Sequence, residues 1–235
     1  MARIVILTGA GISAESGLGT FRDEDGLWTQ YDLEDVATPE GFARNPELVH
    51  DFYNARRRGL LEARPNAAHH ALARLETALP AQVLIVTQNI DDLHEQAGSE
   101  NLIHMHGELL RAHCTECGGS FEMREDLSPE RPCLQCREIG GMRPSVVWFG
   151  EMPLEMPRIW NEIRDADLFV SIGTSGNVYP AAAFVQDAGR AGVATLELNL
   201  EKTSNDFDES RQGQASVIVP AWVDEVLRDL EGSEI

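Results

Sequence analysis

Four cysteines, a glycine-rich turn and several polar strand ends are the places in this 235-residue chain where residue type and spacing could support chemistry. The cysteines stand as Cys114-x-x-Cys117 and Cys133-x-x-Cys136, with 15 residues between the pairs. Each C-x-x-C bends the chain so that both thiolates face one tetrahedral centre, and two such knuckles complete a four-cysteine zinc site. Gly118-Gly119 supplies the permissive backbone that the first knuckle needs. A pair of redox dithiols is the other reading, but C-x-x-C at both ends of a zinc-sized loop suits a metal better. Four thiolates leave no open coordination position, so this zinc is expected to be structural. It would stabilise a polar, turn-rich segment, from Cys114 to about Gly141, too small to fold unaided.

The turn is Gly9-Ala10-Gly11-Ile12-Ser13-Ala14, directly after the apolar run Ile4–Leu7. It fits G-x-G-x-x-[GA], where glycines allow a tight turn and close approach of backbone N–H groups to a pyrophosphate. One feature departs from an ordinary dinucleotide fold: no second strand ending in an acid follows about 20 residues on. Instead comes Ser16-Gly17-Leu18-Gly19-Thr20-Phe21-Arg22-Asp23, a polar loop suited to closing over a cofactor. Three other apolar runs end in polar clusters: Thr87-Gln88-Asn89-Ile90-Asp91, Gly173-Thr174-Ser175-Gly176 and Asn199-Leu200-Glu201. A single such cluster is ordinarily a turn or a cap, and Asp91 is placed to cap a helix over Asp92–Gln96. Four on one sheet edge point to a ligand site. Among seven histidines, His106 stands before Gly107 at the edge of the cysteine segment, a candidate acid or base. His50, His69 and His70 fall in helical stretches and are expected to serve packing or solvation.

The elements that position these residues alternate. Ile4–Leu7, Val83–Val86, Leu168–Ile172, Ala194–Leu198 and Val217–Val219 read as buried parallel strands. Asn45-Pro46 reads as an N-cap and first helical position, with the helix running to about Arg64 before Pro65. Asn66 caps a second helix carrying Leu72, Leu75 and Leu79 on one face, and Pro180–Ala191 and Ala221–Leu230 read as later helices. The expected fold is α/β, a Rossmann-like doubly wound parallel sheet with a small inserted zinc-binding domain. In that organisation 1–35, 66–110 and 145–235 form the dinucleotide domain, 36–65 a helical insertion, and 111–144 the zinc module. Apolar runs are strand-sized, which excludes a spanning helix and places no membrane among the partners. Met1-Ala2-Arg3 leads straight into a strand with no cleavage region, so a cytoplasmic chain is expected. A formal charge of −20 disfavours direct nucleic-acid binding and would steer a basic, lysine-bearing polypeptide toward the surface.

Together these residues resemble the sirtuins, NAD-dependent lysine deacylases, and specifically the bacterial type. The matching pieces are Gly9–Gly17, Thr20-Phe21-Arg22, Gln88-Asn89-Ile90-Asp91, His106-Gly107, the two C-x-x-C pairs, Val147-Trp148-Phe149-Gly150-Glu151 and Gly173-Thr174-Ser175, in the family's order and across nearly the whole chain. The resemblance implies that NAD is consumed as a co-substrate. The acyl oxygen of a modified lysine attacks the nicotinamide ribose, and His106 acts as base on a ribose hydroxyl. Water then completes the cleavage to free lysine and 2′-O-acyl-ADP-ribose. It further implies that Asn89 bonds the ribose or a water, that Asp91 accepts from the nicotinamide carboxamide, and that Phe21 shields the sugar. NAD contacts follow from Gly9, Ala10, Gly11, Ser13, Glu15, Arg22, Trp28, Gln88, Ile90, Gly173, Thr174, Ser175, Asn199, Leu200, Glu201 and Ala215. Val147, Trp148, Phe149 and Gly150 would pair with extended substrate peptide as an added strand.

Tyr53 and Arg56 stand at i and i+3 on the first long helix and share a face. In the sirtuin branch that removes succinyl and malonyl groups, a Tyr-x-x-Arg pair meets the acyl carboxylate, and Ala37 matches that branch's small residue. Guanidinium and phenol together suit a carboxylate at the end of a short chain. On spacing alone, Tyr53 would pack while Arg56 is solvated. Within enzymes, protein mono-ADP-ribosylation is the alternative activity, since it shares the cleavage of nicotinamide. A zinc-dependent nucleic-acid reader and a Rossmann dehydrogenase are disfavoured, the first by charge and the second by the missing strand and acid.

Overall fold

The computed structural model describes residues 3–19, 31–204 and 206–232. Phe21, Arg22 and Trp28 lie outside the described residues. The chain forms strand β1 (Ile4–Thr8), helices α1 (Ala10–Ser13), α2 (Leu33–Val36), α3 (Pro39–Arg44), α4 (Pro46–Glu62) and α5 (Ala67–Ala78), and strand β2 (Val83–Thr87). There follow α6 (Leu93–Ala97), β3 (Leu102–His104), β4 (Gly107–Cys114), β5 (Ser120–Glu122), β6 (Met142–Val146), α7 (Met156–Arg164), β7 (Leu168–Ile172), α8 (Phe184–Ala191), β8 (Ala194–Asn199), β9 (Glu209–Gln212) and α9 (Ala215–Gly232).

Six strands pair in the order β3-β2-β1-β7-β8-β9, all parallel. Numbered among themselves in chain order, this is 3-2-1-4-5-6, the doubly wound order whose reversal lies between β1 and β7. The period-two alternation of each strand sends side chains to both faces. Ile4, Ile6, Val83, Ile85 and Val170 pack under α5 and α9 with Leu72, Leu75, Val219 and Trp222. Val5, Leu7, Leu84, Val86 and Phe169 pack under α7 and α8 with Ile159, Ile163 and Phe184. No helix among the described residues is long and apolar enough to cross a membrane.

The caps follow the sequence. The Asn45 side chain accepts from the Leu48 amide at 3.1 Å, with Pro46 as the first helical residue. Asn66 caps α5 in a reciprocal box with His69. Two elements differ from expectation. Val217–Val219 is not a strand but lies inside α9, because Ala215, Val219, Trp222 and Val223 recur at helical spacing and bury one face against the sheet. The sixth strand is instead Glu209–Gln212, an edge strand with no apolar run.

The second sheet is antiparallel, in the order β5-β4-β6, and underlies the cysteine segment. β4 spans position 110, where the dinucleotide domain is expected to end, and its pairing with β6 shifts register between Glu108 and Ala112. Its own small core joins Ala112, Met123, Leu127 and Met142 to Cys114 and Cys133. A polar bolt ties this module to α4. Asn54 exchanges hydrogen bonds with the Leu127 backbone at 2.8 and 2.9 Å, and the buried Arg57 donates to Asn54 and to the Leu109 carbonyl.

Gly107 starts β4 with φ +82, and a Cβ there would sit 2.1 Å from the Ser145 carbonyl oxygen on β6. Gly107→Ala is therefore expected to destabilise the fold by roughly 2–4 kcal/mol. An unchanged urea midpoint would contradict this account of the β4–β6 contact.

Candidate active site at the strand ends

The carboxyl ends of β1 and β7 meet in register, Thr8 beside Ile172, and the loops that follow are held against each other. The Gly11 amide donates to the Gly173 carbonyl at 2.8 Å. A Cβ on Gly11 would lie 2.8 Å from the Gly173 backbone, so the glycine turn is used first for loop-on-loop packing. Asn199, ending β8, adds a bond from its amide to the Thr174 carbonyl at 2.6 Å. The strand ends at this switch point bring together glycine backbone, hydroxyls and carboxamides, a donor set that suits a dinucleotide.

One hydroxyl organises the next layer. Ser13, buried on α1, accepts from the Asn89 carboxamide at 3.1 Å and donates to Asp91 Oδ2 at 3.0 Å. His69 Nδ1 already accepts from the Asn66 amide at 3.3 Å, so Nε2 carries the proton and faces Ser13 Oγ at 3.4 Å. Asn89 also donates to the Gly9 carbonyl at 3.2 Å. Burial pushes the Asp91 carboxyl above its ordinary value, against the opposing bonds from Leu93 and Ser13. Asp91 Oδ1 also accepts from the Leu93 amide, the first of α6, whose N-cap position is Asp92 rather than Asp91 as expected.

His106 precedes β4, half-buried, with Nδ1 3.0 Å from the Gln88 carbonyl oxygen. A carbonyl can only accept, so Nδ1 bears the hydrogen and Nε2 keeps its lone pair. Burial lowers the His106 pKa below 6.5, an effect larger than the opposing pull of the Gln88 carbonyl. The neutral ring is therefore the resting form near neutral pH.

Tyr53 and Arg56 share one face of α4 as expected, and neither is solvated freely. Tyr53 is 1% exposed and packs with Val36, Ala37 and Trp148. Its hydroxyl accepts from the Trp148 indole at 2.9 Å. The Arg56 guanidinium lies 5.8 Å from the Tyr53 ring centroid and 5.7 Å from that of Phe52. Burial lowers the Arg56 pKa, against the attraction of Tyr53 and Asp91.

Several of the expected site residues have partners within the protein. The Glu15 carboxylate accepts from the Ser216 amide and hydroxyl at the start of α9, next to Ala215. Leu200 and Glu201 are exposed. The amides of Val147, Trp148 and Phe149 donate within the protein, to the His106 carbonyl, the Glu151 carboxylate and the Ala37 carbonyl. Those three N–H groups, and the Trp148 carbonyl, which accepts from the Glu151 amide at 3.0 Å, are thus engaged within the protein rather than presented to an added strand. His69 is more than packing, since it reaches Asp91 through Ser13; the Asn66-x-x-His69 capping box is its one signal in the sequence. His104 carries no such signal. Its two ring nitrogens face the Asn89 carbonyl and Glu95, and despite burial the Glu95 carboxylate raises its pKa.

The four cysteine sulfurs lie within 4.8 Å of one another. The Cys114–Cys136 and Cys117–Cys133 sulfurs are each 3.7 Å apart, against the ~3.8 Å edge of a tetrahedron with zinc–sulfur bonds of about 2.3 Å. All four are free thiols, and the set fits a structural zinc ion.

A doubly wound sheet, polar loops meeting at its switch point and a four-cysteine module are the marks of a dinucleotide-dependent α/β enzyme with a structural metal. A model of the Sir2 family matches residues 9–180. A Caulobacter vibrioides protein named NAD-dependent protein deacylase is 57% identical over 97% of this chain and 98% of its own length. A solved Sir2 homolog–NAD complex is 41% identical, with a TM-score of 0.88 over 97% of this chain and 90% of that one. A Sir2 structure bound to acetylated peptide is 28% identical, with a TM-score of 0.82 over 95% and 92% of the two chains. The chain belongs to the Sir2 family.

Stripping the metal, verified by metal analysis, is expected to lower stability by roughly 3 kcal/mol or more and to abolish turnover with it. Full activity in metal-free protein would refute a scaffolding role. For His106, the acid limb of kcat/KM is expected to fall as pH drops through a midpoint below 6.5, because protonation removes the free lone pair. A midpoint at or above 6.5 would contradict the neutral resting form.

Proposed function

We propose that this chain is an NAD-dependent protein lysine deacylase that accepts acetyl-lysine and, preferentially, lysines carrying short acidic acyl groups such as succinyl and malonyl. The observation that carries the activity is His106. A neutral imidazole with Nδ1 fixed on Gln88 and a lone pair on Nε2 is a base ready for a ribose hydroxyl. NAD supplies the ribose carbon that receives the acyl oxygen when nicotinamide leaves. The Gly9–Gly11 and Gly173–Ser175 loops hold its phosphates, with Asn199 and Ala215 toward the adenosine end. Asn89, oriented by Gly9 and Ser13, holds a hydroxyl or water of the reacting ribose. Asp91, its carboxyl fixed by Ser13 and Leu93, accepts from the nicotinamide amide.

Acyl preference rests on Arg56 and Tyr53. The half-buried Arg56 guanidinium beside the buried Tyr53 phenol is suited to an acyl carboxylate, and the small Ala37 packs in the same cluster as Tyr53. The net charge of −20 favours basic, lysine-bearing peptides over nucleic acid as partners.

The test is one peptide bearing acetyl-, malonyl- or succinyl-lysine, incubated with NAD and followed by mass spectrometry. Loss of the acyl group with formation of O-acyl-ADP-ribose is expected, whereas gain of ADP-ribose on the peptide would indicate mono-ADP-ribosylation instead. Arg56→Met is expected to cut kcat/KM for the succinyl peptide by about 100-fold, the scale of a charge-assisted bond, and for the acetyl peptide by less than about threefold. Equal losses would remove the carboxylate clamp.

A further inference from the structure

We propose that Arg143 is a positioning residue for the acyl pocket, acting through Trp148 on the Tyr53 hydroxyl. This rests on the reading of Tyr53 and Arg56 as the acyl-carboxylate site. Arg143 lies on β6, 8% exposed, in a part of the sequence that none of the site motifs required. Its Nη1 and Nη2 donate to the two Glu151 carboxylate oxygens at 2.8 and 2.9 Å, and Nη2 also donates to the Val146 carbonyl at 3.0 Å. The guanidinium carbon stands 3.4 Å from the centroid of the Trp148 ring, close enough for planar stacking. Glu151, held by Arg143, accepts from the Trp148 amide at 2.8 Å. Ring and backbone of Trp148 are therefore both fixed by one ion pair.

What Trp148 does with that fixed position is directional. Its indole N–H donates to the Tyr53 oxygen at 2.9 Å. A phenol oxygen that accepts on that side presents its own O–H on another, and Tyr53, its pKa pushed up to about 12 by burial, keeps that proton. The phenol is thus set as a donor beside the Arg56 guanidinium, the polarity a carboxylate needs. An acetyl group has no such requirement. Arg143 consequently bears on which acyl group is held well, and not on the chemistry at the ribose.

Removing the charge at Arg143 would leave Glu151 without its partner, so Arg143→Lys is the informative change: it keeps the cation and loses the stacking plane and fork. Trp148→Phe keeps an aromatic ring and deletes the indole N–H. With saturating NAD, Arg143→Lys is expected to raise KM for the succinyl peptide by about tenfold, while kcat on that peptide and both constants on the acetyl peptide stay within about twofold; Trp148→Phe is expected to raise KM for the succinyl peptide about tenfold more than KM for the acetyl peptide. An unchanged succinyl KM, or equal losses on both peptides, overturns the proposal. If Arg143→Lys fails to fold, Trp148→Phe decides the matter, because the relay requires the indole N–H. Arg56→Met run beside them separates the two ideas. Selective loss there with unselective Arg143 and Trp148 variants sinks the relay alone, and unselective loss there sinks the clamp and the relay with it.

Discussion

The contact on which the site depends is between backbones. At the switch point, the turn after β1 and the loop after β7 approach until Gly11 N–H bonds the Gly173 carbonyl at 2.8 Å, with no room for a side chain between them. This follows from the 3-2-1-4-5-6 order, which parts the crossover helices to opposite faces and leaves the two loops to meet over the sheet edge. The turn sends α1 across the strand ends, and Ser13 on α1 thereby lands between Asn89 and Asp91, which follow β2. A residue with a side chain at position 11 would push these loops apart and displace Ser13 from both partners.

Around that contact the protein buries groups that burial ordinarily disfavours. Asp91 and Asn89 are each 7% exposed and His69 is fully buried, so each needs its hydrogen bonds satisfied internally. A single hydroxyl does this by accepting from two of them and donating to the third. His106 is treated differently. Among the described residues its ring bonds to one carbonyl, and burial without a carboxylate partner there keeps it neutral. One region thus holds fixed groups for orientation beside one group able to take a proton.

The metal module reaches the site through α4. Asn54 and Arg57 bind that helix to Leu127 and Leu109 in and beside the module, while Tyr53 and Arg56 on the same helix face the proposed acyl pocket. The cysteine module thereby helps fix the helix that carries Tyr53 and Arg56. The opposite wall, Trp148, comes just after the strand that leaves the module, so both walls depend on one small folded unit.

The sequence by itself determined the parts that rest on local periodicity or ligand spacing. Buried central strands must be apolar throughout, helices begin at capping residues, and C-x-x-C pairs have few other uses, so Ile4–Leu7, Asn45-Pro46, Asn66 and the four cysteines were legible as written. Motif order placed the family. Only the tertiary structure decided what depends on partners distant in the chain. β9 forms because an edge strand can take polar residues when β8 offers its backbone, and Val217–Val219 is helical because one face of α9 packs on the sheet. Glu15 caps α9, His69 reaches Asp91 through Ser13, and the Val147–Phe149 amides are taken up within the protein. Each is a hydrogen bond or a packed face whose second half comes from another element, and residue type and spacing carry no record of which element the fold will bring there.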